Sequence, residues 1–293
     1  MGEFDFISWV RSQQTPSPRV PVGPGDDLAA VRFDGAIVIV GADQVLDGVH
    51  FDSRAHSPWD IGRKAMNRNL SDCAAMAAAP VAAVATVALP HGFGLEQAKQ
   101  LYLGIKSAGD EFGVRIVGGD TGTWGGPLAL SVTILAEPAH DPLPLRCHAR
   151  RDEGIFVTGP LGGSILGRHM RIAPRIVEGI ALARRGVGAM IDLSDGLSRD
   201  LAHVCRESNV GAVIFADRVP VHPDAVQASR DGRSPLLHAL HDGEDYELLF
   251  TADARQPWGH PQIGATTAEP GIWLQHADGR RERLEPMGWQ HRL

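Results

Sequence analysis

Three short apolar runs in this chain, VIVGAD, RIVGGD and GAMID, each end in an aspartate, at Asp43, Asp120 and Asp192. Each run is too short for a buried helix, and Val and Ile dominate them, so each reads as a buried strand. Amphipathic stretches separate them. Residues 59–78 place Ile61, Ala65, Leu70, Cys73 and Ala77 at the spacing of a helix with one buried face. A strand over 82–89, a helix over 95–112 and a strand over 128–136 complete a first unit in which helices and strands mix. In open α/β sheets ligands gather where strands end, so three strand-terminal carboxylates point to a shared site.

The alternation resumes after residues 138–150, a stretch rich in Pro and Arg with little periodicity, which marks a domain junction. A strand from Gly154, the turn GPLGGS, a helix from Pro174, the strand GAMID, a helix from Ser194 and the strand YELLFTA form a second unit, followed by a looser tail. The expected class is α/β, in the broader sense α+β, with domains 1–140 and 141–293; ~150 residues per domain suits a chain of 293. Apolar residues at 43% and charged residues at 22% fit a folded globular chain, and a net charge of −7 without Lys/Arg runs argues against a nucleic-acid-coating surface. Cys73, Cys147 and Cys205 form neither a CxxC pair nor a disulfide framework, and the N-terminal MGEFDFISWVRSQQ carries acids where an export signal has positive charge. The longest apolar stretch, 73–90, is broken by Pro80. The expectation is a cytoplasmic protein with no membrane span.

Further acids adjoin glycines: Asp26 and Asp27 in GPGDD, Asp195 in DLSDG, and Glu244 with Asp245 in DGEDYEL. Glycine lets backbone approach a ligand closely, and clustered carboxylates without His or Cys partners suit Mg²⁺ bound together with phosphates. Taken singly, an Asp in such a turn is more often a cap, and Ser194 with Asp195 can simply cap the helix that follows. Asp72, in NLSD, resists that reading because it interrupts the apolar face of an alanine-rich helix, where an unpaired carboxylate is costly. The chain has no GxxxxGK[ST] loop, no HRD or DFG set, no GxGxxG, no GxSxG and no HExxH, which excludes Walker-type, protein-kinase, Rossmann, serine-hydrolase and zinc-protease readings. Of the histidines only His50 is kept as a candidate. The residues alone point to a Mg-nucleotide site.

The motifs GPGDD, ADQVLDGVHF, GRKAMNRNLSDCAAMAAAP, IVGGDT, LRCHARRDEGIFVTG, HMRIAPR, IDLSDGLSRDL and GEDYELLFT follow one another as in the thiamine-monophosphate kinases, a family the chain resembles over nearly its whole length. That family lies in the superfamily of aminoimidazole-ribotide synthetase and selenophosphate synthetase. The resemblance implies a two-domain aminoimidazole-ribotide-synthetase-like fold whose N-terminal, ATP- and Mg-binding domain pairs strands with a second subunit, and hence a homodimer. It implies direct phosphoryl transfer from ATP to thiamine monophosphate, giving thiamine diphosphate and ADP, with several Mg²⁺ ions and room for K⁺. The attacking phosphate oxygen is already anionic near neutral pH, so alignment and charge neutralisation replace a catalytic base. On this resemblance Asp27, Asp43, Asp72, Asp120, Asp192 and Asp195 hold metal, and Tyr102, Gly119, Asp120, Arg146 and Ser194 contact ATP. His50, Glu244 and Trp289 fall on the substrate side, where an aromatic stacks on the thiamine rings and an acid faces their positive charge.

The chain departs from the family pattern at a few positions. Gly41 and Ala42 replace hydroxyl residues before the second aspartate, Gln44 follows it in place of threonine, Asp242 replaces a glycine before Gly243, and Gly163 replaces an acid. These changes bear on rate or substrate preference more than on fold. They leave two alternatives: a sister enzyme acting on another small substrate, and an ATP- and metal-binding protein without turnover.

Overall fold

The computed structural model describes residues 3–290. After the helix α1 (Glu3–Ser12), a first sheet is built from β1 (Ala29–Phe33), β2 (Ala36–Leu46), β3 (Ala78–Pro90), β4 (Arg115–Trp124) and β5 (Ala129–Pro138), in the order β1-β2-β5-β3-β4. The helices α2 (Pro58–Ala75) and α3 (Leu95–Asp110) lie on one side of it. Alternation along β5 sets the two faces: Leu130, Val132, Ile134 and Ala136 are buried, whereas Ala129, Ser131, Thr133 and Leu135 are only half-buried on the other face.

The second sheet has seven strands, β6 (Gly154–Val157), β7 (Met190–Asp192), β8 (Gly211–Phe215), β9 (Leu248–Ala252), β10 (Gln262–Thr267), β11 (Ile272–Gln275) and β12 (Arg281–Arg283), ordered β12-β11-β8-β10-β6-β9-β7. It carries α4 (Ile176–Arg184), α5 (Leu197–Ser208), α6 (Pro223–Ala228) and α7 (Pro235–His241). The expected loose tail is therefore three strands, and Ile263, Ile272, Leu274 and Leu284 within it belong to the core of this half. The molecule is a mixed α/β protein with two sheets.

Two sequence expectations change. Only β3 with β4 and β8 with β11 pair in parallel; the other pairs are antiparallel. The strand-end rule for parallel sheets thus does not gather the acids. Asp43 and Asp120 lie inside β2 and β4, and only Asp192 ends its strand.

The helix α2 is also more buried than a one-faced helix. Ser57 caps it by accepting from the Asp60 N–H at 3.1 Å, and Pro58 opens its first turn. Twelve of its 18 residues are buried, because it packs against α3 and β5 on the first half and α4 and β7 on the second. Glycines set this approach. A Cβ at Gly62 would lie 2.1 Å from the Leu101 carbonyl oxygen, and one at Gly179 on α4 would lie 2.2 Å from that of Ala74. Fully buried Ile61, Met66 and Leu70 each contribute about 2 kcal/mol. The buried polar residues beside them, Lys64, Asn67, Asn69 and Ser71, must find partners.

Candidate active site

Asp72, on the last turn of α2, meets Asp27 from the loop before β1 and Asp192 from the end of β7. Their ligand oxygens all lie within 4.8 Å of one another. Ser71 donates to Asp192 Oδ2 at 2.7 Å, and Arg146 donates to Asp27 from Nη2 at 2.6 Å and from Nε at 3.3 Å. Arg146 on Asp27, with Arg68 acting on Asp72 from farther off, leaves negative charge on three carboxylates in surroundings that disfavour it. Burial first, then the charge of Asp27, pushes Asp192 up to about 7; burial, then Asp43 and Asp192, holds Asp72 well above the usual carboxylate range. Asp26 alongside is raised to about 6, chiefly by burial and then by Asp27, and accepts the Arg146 backbone N–H at 3.2 Å. A convergent, all-oxygen, under-neutralised donor set fits a hard divalent cation.

Asp43 adjoins this cluster. It pairs across the sheet with buried Val132, which turns its side chain toward α2, where Arg68 Nε donates to Oδ2 at 2.9 Å. Arg68 Nη1 donates to Glu244 Oε1 at 3.1 Å, Tyr246 donates to the same oxygen at 3.0 Å, and Lys64 Nζ donates to Glu244 Oε2. Lys64 has no exposed surface, and an isolated ammonium there would cost several kcal/mol. Burial lowers its pKa and Glu244 opposes that. For Glu244 burial acts upward, but Lys64 and then Arg68 outweigh it and leave the carboxyl below its ordinary value. Glu244 lines the cleft with its charge met by Lys64 and Arg68, and it holds both in place.

The loop that carries Glu244 is fixed by its neighbour across the site. Glu244 and Tyr246 donate their N–H groups to the carbonyls of Ser194 and Leu193 at 2.7 and 2.8 Å, which holds both residues at positive φ, 65° and 53°. The crossing requires Gly243, where a Cβ would fall 2.6 Å from the Ser194 oxygen. Beside these groups opens a cleft of about 810 Å³ whose lining includes Asp43, His50, Arg68, Ser194, Asp195, Glu244 and Trp289. That is the size of a small-molecule site. The Leu46 N–H donates to His50 Nδ1 at 3.1 Å, and the backbone N–H of half-exposed Trp289 donates to the Asp195 carbonyl at 3.0 Å.

Asp195 does not join the first cluster. Its carboxylate groups instead with Asp200 and His203, again within 4.8 Å, and burial followed by Glu3 raises it to about 6. Asp200, absent from the sequence reading, accepts the N–H groups of Asp195 and Gly196 at 3.1 and 3.0 Å and so fixes the turn that leads into α5.

Three expected nucleotide residues lie apart. Tyr102 is half-exposed on α3 and is not among the residues lining the cleft. Gly119 has a packing reason to be glycine, since a Cβ there would lie 1.8 Å from the Ala85 oxygen of β3. Asp120 continues a cross-strand row of Gln44, Ser131 and Thr86, on the face away from α2, around a shallow pocket of about 280 Å³. Asp43 and Asp120 therefore face opposite sides of one sheet.

Lys64, Arg68 and Tyr246 were missed as site residues. The signal was present, because Lys64, Arg68 and Asp72 recur every fourth residue and so share one stripe of α2. Two departures from the family pattern also find a cause. A Cβ at Gly41 would lie 2.2 Å from Leu28 Cδ2, so Leu28 fills the space a hydroxyl residue would need, and Gly163 is left-handed with Asp224 backbone 2.4 Å from its would-be Cβ. Among the described residues no helix is long and apolar enough to cross a membrane.

Residues 25–137 match the family model AIR synthase related protein, N-terminal domain, which gives the class of the first half. Relatives extend the match to the whole chain. A thiamine-monophosphate kinase of Rhodopirellula baltica is 40% identical, covering 99% of this chain and 97% of that protein, and one of Mycobacterium tuberculosis is 32% identical, covering 99% and 91%. The solved structure of AaThiL complexed with AMPPCP and TMP superposes with a TM-score of 0.87 at 28% identity, covering 99% of this chain and 97% of that one. This chain belongs to the thiamine-monophosphate kinase family.

Proposed function

We propose that this protein transfers the γ-phosphoryl group of ATP to the phosphate of thiamine monophosphate, yielding thiamine diphosphate and ADP. The observation that carries the reading is the convergence of Asp27, Asp72 and Asp192 within 4.8 Å of one another. Asp43 adjoins that cluster and also lines the 810 Å³ cleft. The names of the full-length relatives support it, as does the neighbour that holds AMPPCP, a non-hydrolysable ATP analogue, together with TMP.

Asp27, Asp43, Asp72 and Asp192 would hold Mg²⁺, which when bound neutralises phosphate charge. Ser71 and Arg146 orient the carboxylates, and Ser194 and Asp195 border the cleft from the α5 side. No side chain needs to remove a proton, because the acceptor phosphate is already anionic. His50 and Trp289 bind the substrate rings. Residues 1–140 serve as the ATP, metal and dimerisation domain and 141–293 as the second domain, a division supported by the separate sheets over 29–138 and 154–283. A homodimer is favoured by exposed Val117 and Trp124 on β4 and by Asp120 on the open face, where a second copy would bring nucleotide to Asp120 and Gly119. Three free cysteines suit a reducing, cytoplasmic setting.

The test is ADP release with ATP and Mg²⁺ in the presence of thiamine monophosphate, thiamine or neither, with products identified by mass. Thiamine diphosphate is expected from thiamine monophosphate alone. ATP binding without any product would favour the alternative of a binder that has lost turnover.

A further inference from the structure

Arg68 occupies the boundary between the carboxylate cluster and the cleft. Its guanidinium spends Nε on Asp43 at 2.9 Å and Nη1 on Glu244 at 3.1 Å. Nη2 donates to no group among the described residues, and Arg68 lines the cleft. A guanidinium has five N–H donors in a rigid plane; with Nε and Nη1 fixed on two different carboxylates, the Nη2 amino group is the part left to face the cavity. The anchoring is itself buried: Glu244 is held by Lys64 and Tyr246, and the Arg68 side chain is 14% exposed. The cleft's other arginine, Arg233, sits nearer solvent at 48% exposure and is committed to Asp231 and Asp242 at 2.9 and 3.2 Å. Lys64 is enclosed and spent on Glu244.

In-line transfer between two phosphates requires the acceptor phosphate to lie between the groups that hold the nucleotide phosphates and the groups that hold the acceptor's rings. Arg68 touches Asp43 on the first side and Glu244 on the second. A charged Nη2 with two N–H donors is suited to a phosphate dianion and gains little from a neutral hydroxyl. We propose, resting on the kinase reading above, that Arg68 grips the phosphate of the acceptor substrate and makes the site select a phosphate monoester over the corresponding alcohol. Glu244, Lys64 and Tyr246 are positioning residues for that grip.

Calorimetric titration of the full chain, with Mg²⁺ and a non-hydrolysable ATP analogue present, compares thiamine monophosphate with thiamine. The wild-type protein is expected to prefer the monophosphate. In Arg68→Gln its affinity should fall about tenfold or more while that for thiamine stays within about threefold, so the preference collapses. Arg68→Lys, which keeps a charge beside Asp43 and Glu244 and so guards against misfolding, should lose a few-fold of the preference. An unchanged preference in both variants overturns the proposal, as does an equal loss for both ligands or a loss confined to the ATP analogue. If the wild type makes thiamine diphosphate while the variants keep the preference, only the Arg68 assignment fails. If the wild type shows neither preference nor product, the kinase reading fails with it.

Discussion

Asp72 brings a carboxylate into the seam between the two halves, against Asp27 and Asp192. Removing its charge relieves repulsion in the cluster and deletes a metal donor at the same time. Asp72→Asn is therefore expected to lower turnover by about a hundredfold or more. The melting temperature of the metal-free protein should stay level or rise by about 2–4 °C. An ADP assay and a thermal melt check the two halves of that statement, and retention of most of the activity would remove Asp72 from metal binding. Trp289→Ala should raise the KM for thiamine monophosphate by about tenfold and leave the KM for ATP within about twofold, as expected when a stacking surface is lost. Equal rises would place Trp289 outside the ring pocket. At this scale most of the acids were legible because they sit in short glycine-rich motifs, and Asp72 because it interrupts the apolar face of a helix. The partners of Glu244 were not, since Lys64 and Arg68 lie 180 and 176 positions away.

The helix α2 is the element on which the site depends, since it carries Lys64, Arg68, Ser71 and Asp72. Its approach to α3 leaves no room at Gly104, where a Cβ would lie 2.1 Å from the Trp59 carbonyl oxygen. Gly104→Ala should cost about 1–3 kcal/mol, seen as a lower denaturation midpoint, and activity should fall with it as α2 shifts. An unchanged midpoint would mean the two helices separate freely. The apolar spacing revealed that α2 is a helix, but not that it is buried nearly all round. The helix α4, which covers its far side, arrives a hundred residues later by packing. The strands β10 to β12 escaped the sequence reading because they span three to six residues each, too few for alternation to rise above the surrounding turns.

For the whole molecule, ligand binding should act as a clamp. Three carboxylates from α2, the first half's N-terminal loop and β7 repel one another without a cation. Mg²⁺ with AMPPCP near a hundred times its Kd should add about 2.7 kcal/mol. That corresponds to a rise in Tm of about 5–10 °C over the EDTA-treated protein, and the rise should shrink sharply in Asp72→Asn. No rise in the wild-type protein would count against the cluster as a metal site. The exposed edge of the first sheet makes a second demand. The protein should sediment as a dimer, and Val117→Lys, which puts a charge at a position 64% exposed on β4, should shift it toward monomer with loss of turnover. A wild-type monomer with full activity would end the dimer proposal.

The sequence by itself determined most of the longer strands and helices up to residue 252 and which acids are set in glycine-rich turns. Its ordered motifs also carried the family resemblance. These are local properties, written within about a dozen residues by side-chain periodicity and by the conformations glycine permits. Only the tertiary structure decided that Asp27, Asp72 and Asp192 converge, that Asp43 and Asp120 face opposite sides of one sheet, and that Glu244 is neutralised by Lys64 and Arg68. Charge interactions change over a few ångströms, and the separation of groups far apart in the chain is set by strand register and by how closely α2 can approach its neighbours.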